Sequence, residues 1–200
     1  MKTVFNTKQI TMIAMLSAIS AILMVFEFQL PFSPSFIKFD FSDLPIILGG
    51  LLLGPMAGGM IGVMKILLNF LLNGTSTMFV GELSNLILTL AFVLPASLIY
   101  QREKTKKNAV RGLIVSVILT SLLSIISNIY FIFPLYAKML GMTMEDIVAM
   151  VIATNPLVKD TTTMVIFSLL PFNVLKYSII SFLTMMTYKK LSYLVKRRVK

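Results

Sequence analysis

The sequence predicts an all-α integral membrane protein with six transmembrane helices and cytoplasmic N- and C-termini. The 200 residues are 57% hydrophobic and 13% charged, whereas soluble domains are about one-quarter charged. Uncharged stretches close to the ~20 residues that a helix needs to cross a bilayer recur along the chain. Basic residues cluster between these stretches, as the positive-inside rule predicts.

The composition also excludes several functional classes. The chain has no Cys and no His, which removes disulfides, thiolate and imidazole metal ligands, and imidazole catalysis. The net charge of +10 resides in short clusters between apolar runs, so we expect membrane orientation and lipid contact rather than nucleic-acid binding. The first apolar run lacks a signal-peptide cleavage site, so we expect a retained first helix.

We expect a single membrane domain over residues 1–200, with spans at about 9–27, 44–54, 55–72, 82–101, 111–137 and 171–190. Residues 44–72 could form one bent helix or two helices that turn near Gly54. Two spans place the basic cluster of residues 102–111 on the cytoplasmic side, which favours the turn. The last span is placed to begin at Pro171, because proline suits the first turn of a helix.

Three polar residues are expected to converge near the outer surface. Asn128 lies ~25 Å along an inside-to-outside helix at 1.5 Å per residue. Asn173 and Lys176 lie three residues apart in the first turns of the last helix and therefore share a face. These residues could bind a ligand, or they could pair with one another between packed helices.

Further polar and aromatic groups are expected at the same level. Glu82 opens the fourth span, directly after a hydroxyl-rich turn at residues 75–77. The preceding outer segment is rich in phenylalanine, which suits either a stacking platform for a flat ligand or an interfacial aromatic belt; its members are Phe28, Phe32, Phe36, Phe39 and Phe41. Such a site suits a neutral, planar, heteroaromatic ligand. The candidate ligand-binding residues are Asn128, Lys176, Asn173, Glu82, Thr75, Thr77, Phe39 and Asp43.

Lys65 is predicted to lie ~15 Å deep, near the middle of the membrane. It could neutralise Asp43 or Glu82 as part of the fold, or line a path for the ligand, and we favour the structural pairing.

The first helix carries a strip of small residues. Ala14 and Ala18 are four residues apart, and Ser17 and Ala21 repeat the spacing. Such strips allow close helix approach, so Ala14 and Ala18 are candidates for docking a partner protein.

Several short runs together resemble the riboflavin-specific substrate-binding components of energy-coupling factor transporters. They are residues 39–45 (FDFSDLP), 48–58 (LGGLLLGPMAG), 74–77 (GTST), 81–85 (GELSN) and 171–176 (PFNVLK), together with Asn128. The resemblance covers nearly the whole chain, and it is the combination of runs that is specific.

The resemblance implies a non-enzymatic subunit in the cell membrane of a prokaryote. It would capture riboflavin from outside and associate with a transmembrane coupling protein and two cytoplasmic ATPases. Riboflavin would be the transported ligand rather than a cofactor, and none is expected. The resemblance further implies that Asn128 and Lys176 lie near the isoalloxazine ring and that Ala14 and Ala18 dock on the coupling protein.

Other readings stay open from the residues alone. The chain has no G-x-x-x-x-G-K-[ST] loop, so it cannot power transport with ATP by itself. It could instead be a stand-alone secondary carrier for a small aromatic solute, or a component for another vitamin, FMN or FAD. An intramembrane enzyme would have to rely on Glu82, Asp43 and Lys176, among which no recognised catalytic pairing is visible.

Overall fold

The computed structural model describes residues 5–31, 33, 37–75, 77–152 and 155–199, and these residues are mostly helical. Among these described residues, five helical runs are long and apolar enough to cross a membrane: Thr7–Val25, Pro55–Asn73, Val80–Arg102, Lys106–Leu140 and Thr161–Tyr188. This confirms an all-α membrane protein. A shorter apolar helix, Asp43–Leu53, has 11 residues, or ~16 Å of length.

The helices are numbered in chain order. They are α1 (Thr7–Val25), α2 (Asp43–Leu53), α3 (Pro55–Asn73), α4 (Val80–Arg102), α5 (Lys106–Ser127), α6 (Phe133–Leu140), α7 (Met144–Ile152), α8 (Thr161–Met164) and α9 (Leu170–Val199). Two π-helical segments, Asn128–Ile132 and Val165–Leu169, join α5 to α6 and α8 to α9. In the segment between α1 and α2, the short strand β1 (Phe28–Gln29) pairs antiparallel with the short strand β2 (Lys38–Phe39).

Helices α2 and α3 form a tight antiparallel hairpin that turns at Gly54, where the sequence analysis placed the break. Gly54 has φ +107°, a conformation that glycine adopts without strain. A methyl group added at Gly58 would lie 2.8 Å from the Cα of Gly50, so the absence of side chains allows this close approach. The hairpin brings the start of α2 next to Lys65 on α3.

One apolar core lies where this hairpin meets α1, α4, α5 and α9, and a second joins α6, α7, α8 and the two π-helical segments. Fully buried side chains in the first core include Ile47, Ile61, Phe92 and Ile180. The lipid-facing surface is equally apolar, as Leu71 and Phe182 illustrate with 77% and 65% exposure, because a bilayer solvates such side chains.

Helix α9 begins at Leu170, one residue before the expected start at Pro171. It is preceded without a break by α8 and a π-helical segment, so the continuous apolar helical run begins at Thr161. Asp160 caps the run by accepting a hydrogen bond from the Thr163 backbone N–H at 2.8 Å, and the donors of Thr163 hold the pKa of Asp160 below its usual value. Pro171 has no N–H for the carbonyl four residues earlier, that of Phe167. The side-chain Nδ2 of Asn155 donates to this carbonyl at 3.0 Å, so the helix continues through the proline.

Candidate functional site

A cavity of about 520 Å³ opens at the end of the bundle opposite the connection between α4 and α5. A recess of about 100 Å³ adjoins it, and the two share Lys38, Gly81, Asn85 and Tyr136 in their walls. The larger volume lies within the range of about 300–1,000 Å³ that is typical of small-molecule sites.

The two compartments differ in chemistry. Polar side chains dominate the walls of the larger cavity; among them are Glu27, Asp40, Asn69, Asn73, Thr77 and Glu82. The recess combines aromatic rings with a few polar groups, namely Phe133, Phe172, Tyr177, Asn128, Asn173 and Lys176. The structure therefore brings Asn128, Asn173 and Lys176 together on the walls of one recess, as the sequence analysis expected.

The two asparagines use their amide nitrogens within their own helices. Asn128 Nδ2 donates to the Ser124 carbonyl at 2.7 Å, and Asn173 Nδ2 donates to the Leu169 carbonyl at 2.9 Å. Asn128 is the first residue of a π-helical segment and Asn173 lies in the first turn of α9, and each amide donates to the carbonyl four residues earlier in the chain. These bonds fix the orientation of both amides, and each Oδ1 is left as the acceptor that a ligand can use.

Lys176 is paired with carboxylates rather than with the asparagines. Its Nζ lies 3.0 Å from Asp40 Oδ2 and 3.2 Å from Asp43 Oδ2. The alternative of mutual pairing among Asn128, Asn173 and Lys176 is not seen, since no hydrogen bond joins them in the described part of the chain. The ammonium group has three N–H donors, so one donor is free for a ligand after both carboxylates are engaged.

Lys65 completes a buried network of four charges, Asp40, Asp43, Lys65 and Lys176, which we call the four-charge network. Lys65 Nζ lies 3.2 Å from Asp43 Oδ1 and also donates to Asn85 Oδ1 at 2.7 Å. The structure thus pairs Lys65 with Asp43 and not with Glu82. The network has no net charge, which is the condition under which ions are tolerated in an apolar interior.

Asp43 lies behind the recess rather than on its wall. It is 1% exposed and lines neither compartment. Thr89 Oγ1 donates to Asp43 Oδ1 at 2.6 Å. Asp43 therefore holds Lys176 and Lys65 in place, and a direct contact with a ligand would require it to leave these partners.

Thr75 and Thr77, in the turn before α4, have different hydrogen-bond partners. Thr75 Oγ1 accepts hydrogen bonds from the backbone N–H groups of Thr77 and Phe79, at 3.2 and 3.0 Å. These bonds stabilise a turn in which Phe79 has φ +69°. Thr77 Oγ1 instead donates to Glu82 Oε2 at 2.8 Å, and both of these side chains line the larger cavity. Ser76, between the two threonines, lies outside the described residues.

Phe39 belongs to a cluster of rings beneath the outer segment. Its ring centroid lies 5.3 Å from that of Phe28, 5.1 Å from Phe41 and 6.5 Å from Phe172. Phe39 is 2% exposed and lines neither compartment, whereas Phe172 lines the recess. Phe32 and Phe36 lie outside the described residues. Within this cluster, Phe172 is the ring that lines the recess, and Phe39 packs behind it.

Several side chains that line the two compartments were not among the predicted ligand-binding residues. Asp40, Asn69 and Asn85 line the larger cavity. Helical spacing in the sequence could have identified two of them, since Asn69 lies one turn after Lys65 and Asn85 lies three residues after Glu82. Tyr136 also lines both compartments, but nothing in its sequence neighbourhood distinguishes it.

The small residues of α1 divide between two faces. Ser17 and Ala21 are buried against the bundle, whereas Ala14 and Ala18 are exposed together with Met15, at 57%, and Ile22, at 52%. The candidate docking residues Ala14 and Ala18 therefore lie on the outward surface of α1.

Three comparisons place the chain among known proteins. The family model of the substrate-specific component of ECF transporters matches residues 8–188. The riboflavin transporter RibU of Staphylococcus aureus is 30% identical, over 96% of this chain and 94% of that protein. The riboflavin transporter FmnP of Bacillus subtilis is 31% identical, over 93% of each chain. A solved structure described as the S component of a bacterial ECF transporter superposes with a TM-score of 0.73 at 29% identity, and it covers 94% of this chain and 98% of that one.

Proposed function

The chain belongs to the family of ECF transporter substrate-specific components, and from this premise we propose that it is the riboflavin-binding subunit of such a transporter. It is a multi-pass protein of a prokaryotic plasma membrane and a transport component rather than an enzyme. It captures riboflavin at the cavity and associates with a coupling protein and two ATPases, which supply the energy for uptake.

The recess is the observation that supports riboflavin most directly. Riboflavin carries a flat tricyclic ring with an imide N–H between two carbonyls. The Oδ1 atoms of Asn128 and Asn173 can accept from the imide N–H, and the free donor of Lys176 can bind a ring carbonyl. Phe172 and Tyr177 provide aromatic surface beside these groups.

The larger cavity has the groups that a polyhydroxyl chain requires. The ribityl chain of riboflavin both donates and accepts hydrogen bonds, and Asn69, Asn73, Thr77 and Glu82 offer matching partners. We assign the ring to the recess and its surroundings and the ribityl chain to the larger cavity. Thr75, Phe39 and Asp43 are assigned supporting roles in the turn, the ring cluster and the four-charge network.

We assign six spans and cytoplasmic termini. The five long apolar runs, together with α2, give six passes in which α2 and α3 are antiparallel. Although α2 is short, Asp40 and Ser42 just before it are buried, which indicates that the outer segment enters the bundle before α2 begins. This arrangement places the basic cluster of residues 102–111 on the cytoplasmic side, in agreement with the positive-inside rule.

Purification in detergent followed by riboflavin titration tests this function. We expect quenching of flavin fluorescence at a 1:1 stoichiometry, because the ring enters a recess lined by aromatic side chains. A matched titration with thiamine, a vitamin without the imide group, should show no competition with riboflavin. Absence of riboflavin binding by well-folded protein would contradict the proposal.

A further inference from the structure

Within the described ranges, the charged side chains around the cavity form neutral sets with one exception. Lys38 Nζ lies 2.5 Å from Glu27 Oε1, and the four-charge network has no net charge. Glu82 also lines the larger cavity, but among the described residues no lysine or arginine forms a salt bridge with its carboxylate. Its hydrogen-bond partner there is the neutral hydroxyl of Thr77, at 2.8 Å.

This uncompensated charge lies in the polar compartment. Glu82 lines the larger cavity and not the recess, so it faces the ribityl chain in the binding mode proposed above. A ribityl hydroxyl can donate to the carboxylate in a charge-assisted hydrogen bond. A phosphate ester at the end of the same chain would bring about −1.5 to −2 charges near neutral pH, and Lys38 is the only cation on the wall of the larger cavity in the described ranges, already paired with Glu27.

We propose that Glu82 is a specificity-determining residue that makes the site favour riboflavin over its 5′-phosphate, FMN. The inference rests on the proposed function and concerns the same cavity. Like charges brought together in a partly desolvated site repel each other. We therefore expect FMN to bind about tenfold to a hundredfold more weakly than riboflavin, which corresponds to about 1.4–2.8 kcal/mol.

The test uses the full chain purified in detergent and titrated separately with riboflavin and FMN, with flavin fluorescence as the signal. Glu82→Gln removes the charge and keeps the size and a hydrogen-bonding amide. This variant should lower the ratio of the FMN dissociation constant to that of riboflavin by about tenfold. Glu103→Gln is the matched control, because Glu103 is exposed at the opposite end of the bundle, and its ratio should equal that of the unaltered protein.

A second ligand separates charge from size without any substitution. Riboflavin 5′-acetate extends the chain at the same position with a neutral group, and we expect it to bind the unaltered protein more tightly than FMN. Rejection of the acetate as strong as that of FMN would overturn the inference, and so would an unchanged ratio in Glu82→Gln. If riboflavin itself does not bind, the proposed function fails instead.

Discussion

Replacement of Lys65 by methionine removes one charge from the four-charge network while preserving an unbranched side chain of similar length. Lys65 is fully buried, and its Nζ contacts Asp43 Oδ1 at 3.2 Å and Asn85 Oδ1 at 2.7 Å. The Coulomb energy of the pair with Asp43 at this distance is about 5 kcal/mol at an effective dielectric of ~20. Removal of one partner from a buried ion pair costs ~3–5 kcal/mol, and Lys65→Met should destabilise the fold by this amount.

The assay is thermal unfolding of the protein purified in detergent, followed by near-UV circular dichroism. The expected loss lowers the melting temperature by ~10 °C, at roughly 2–4 °C per kcal/mol for a chain of this length. Lys138→Met is the control, because it makes the same chemical change at an exposed position and should leave the melting temperature unchanged.

A double variant tests whether charge balance is the cause. Addition of Asp43→Asn to Lys65→Met leaves Asp40 and Lys176 as a neutral pair, so part of the lost stability should return. A melting temperature for Lys65→Met equal to that of the unaltered protein would refute the importance of the network. A double variant no more stable than Lys65→Met would refute charge balance as its basis.

Asn128→Ala should weaken riboflavin binding by roughly 1–3 kcal/mol, measured by fluorescence titration, and an unchanged affinity would contradict its place in the site. Ala14→Leu with Ala18→Leu should abolish uptake in cells that contain the coupling protein but preserve binding in detergent, because both residues are exposed; intact uptake would reject this docking surface. Asn155→Leu removes the donor to the Phe167 carbonyl and should cost about 1–3 kcal/mol of stability, and an unaltered melting temperature would show that this carbonyl has another donor.

The sequence was sufficient to predict that the polar residues Asn128 and Lys176 lie at the same level along their helices. Asn128 lies on one long helix and Lys176 on another, and a fixed rise of 1.5 Å per residue sets how far each lies from its helix end. Both side chains do line the same recess. The turn at Gly54 was also predictable, because the charge pattern required two antiparallel helices over residues 44–72.

The pairing of the charged residues could not be read from the sequence. Lys176 and its partner Asp40 are 136 residues apart, and periodicity within one helix does not specify which distant side chain faces it. The helical run before α9 was not predictable for a similar reason. The local signal of Pro171 favours a helix start, and α9 does begin at Leu170, but Asn155 from a preceding segment donates a hydrogen bond to the Phe167 carbonyl.

The sequence by itself determined the membrane environment, the helical fold and the level at which polar groups gather, because these depend on local hydropathy, helix rise and charge near the helix ends. Only the tertiary structure decided that Asp43 and Lys65 support the site from behind. Only the tertiary structure also decided that Glu82 lines the cavity without a salt bridge to any lysine or arginine of the described residues. The physical reason is that the interaction energy of a charge depends on which partners the packing brings within a few ångströms.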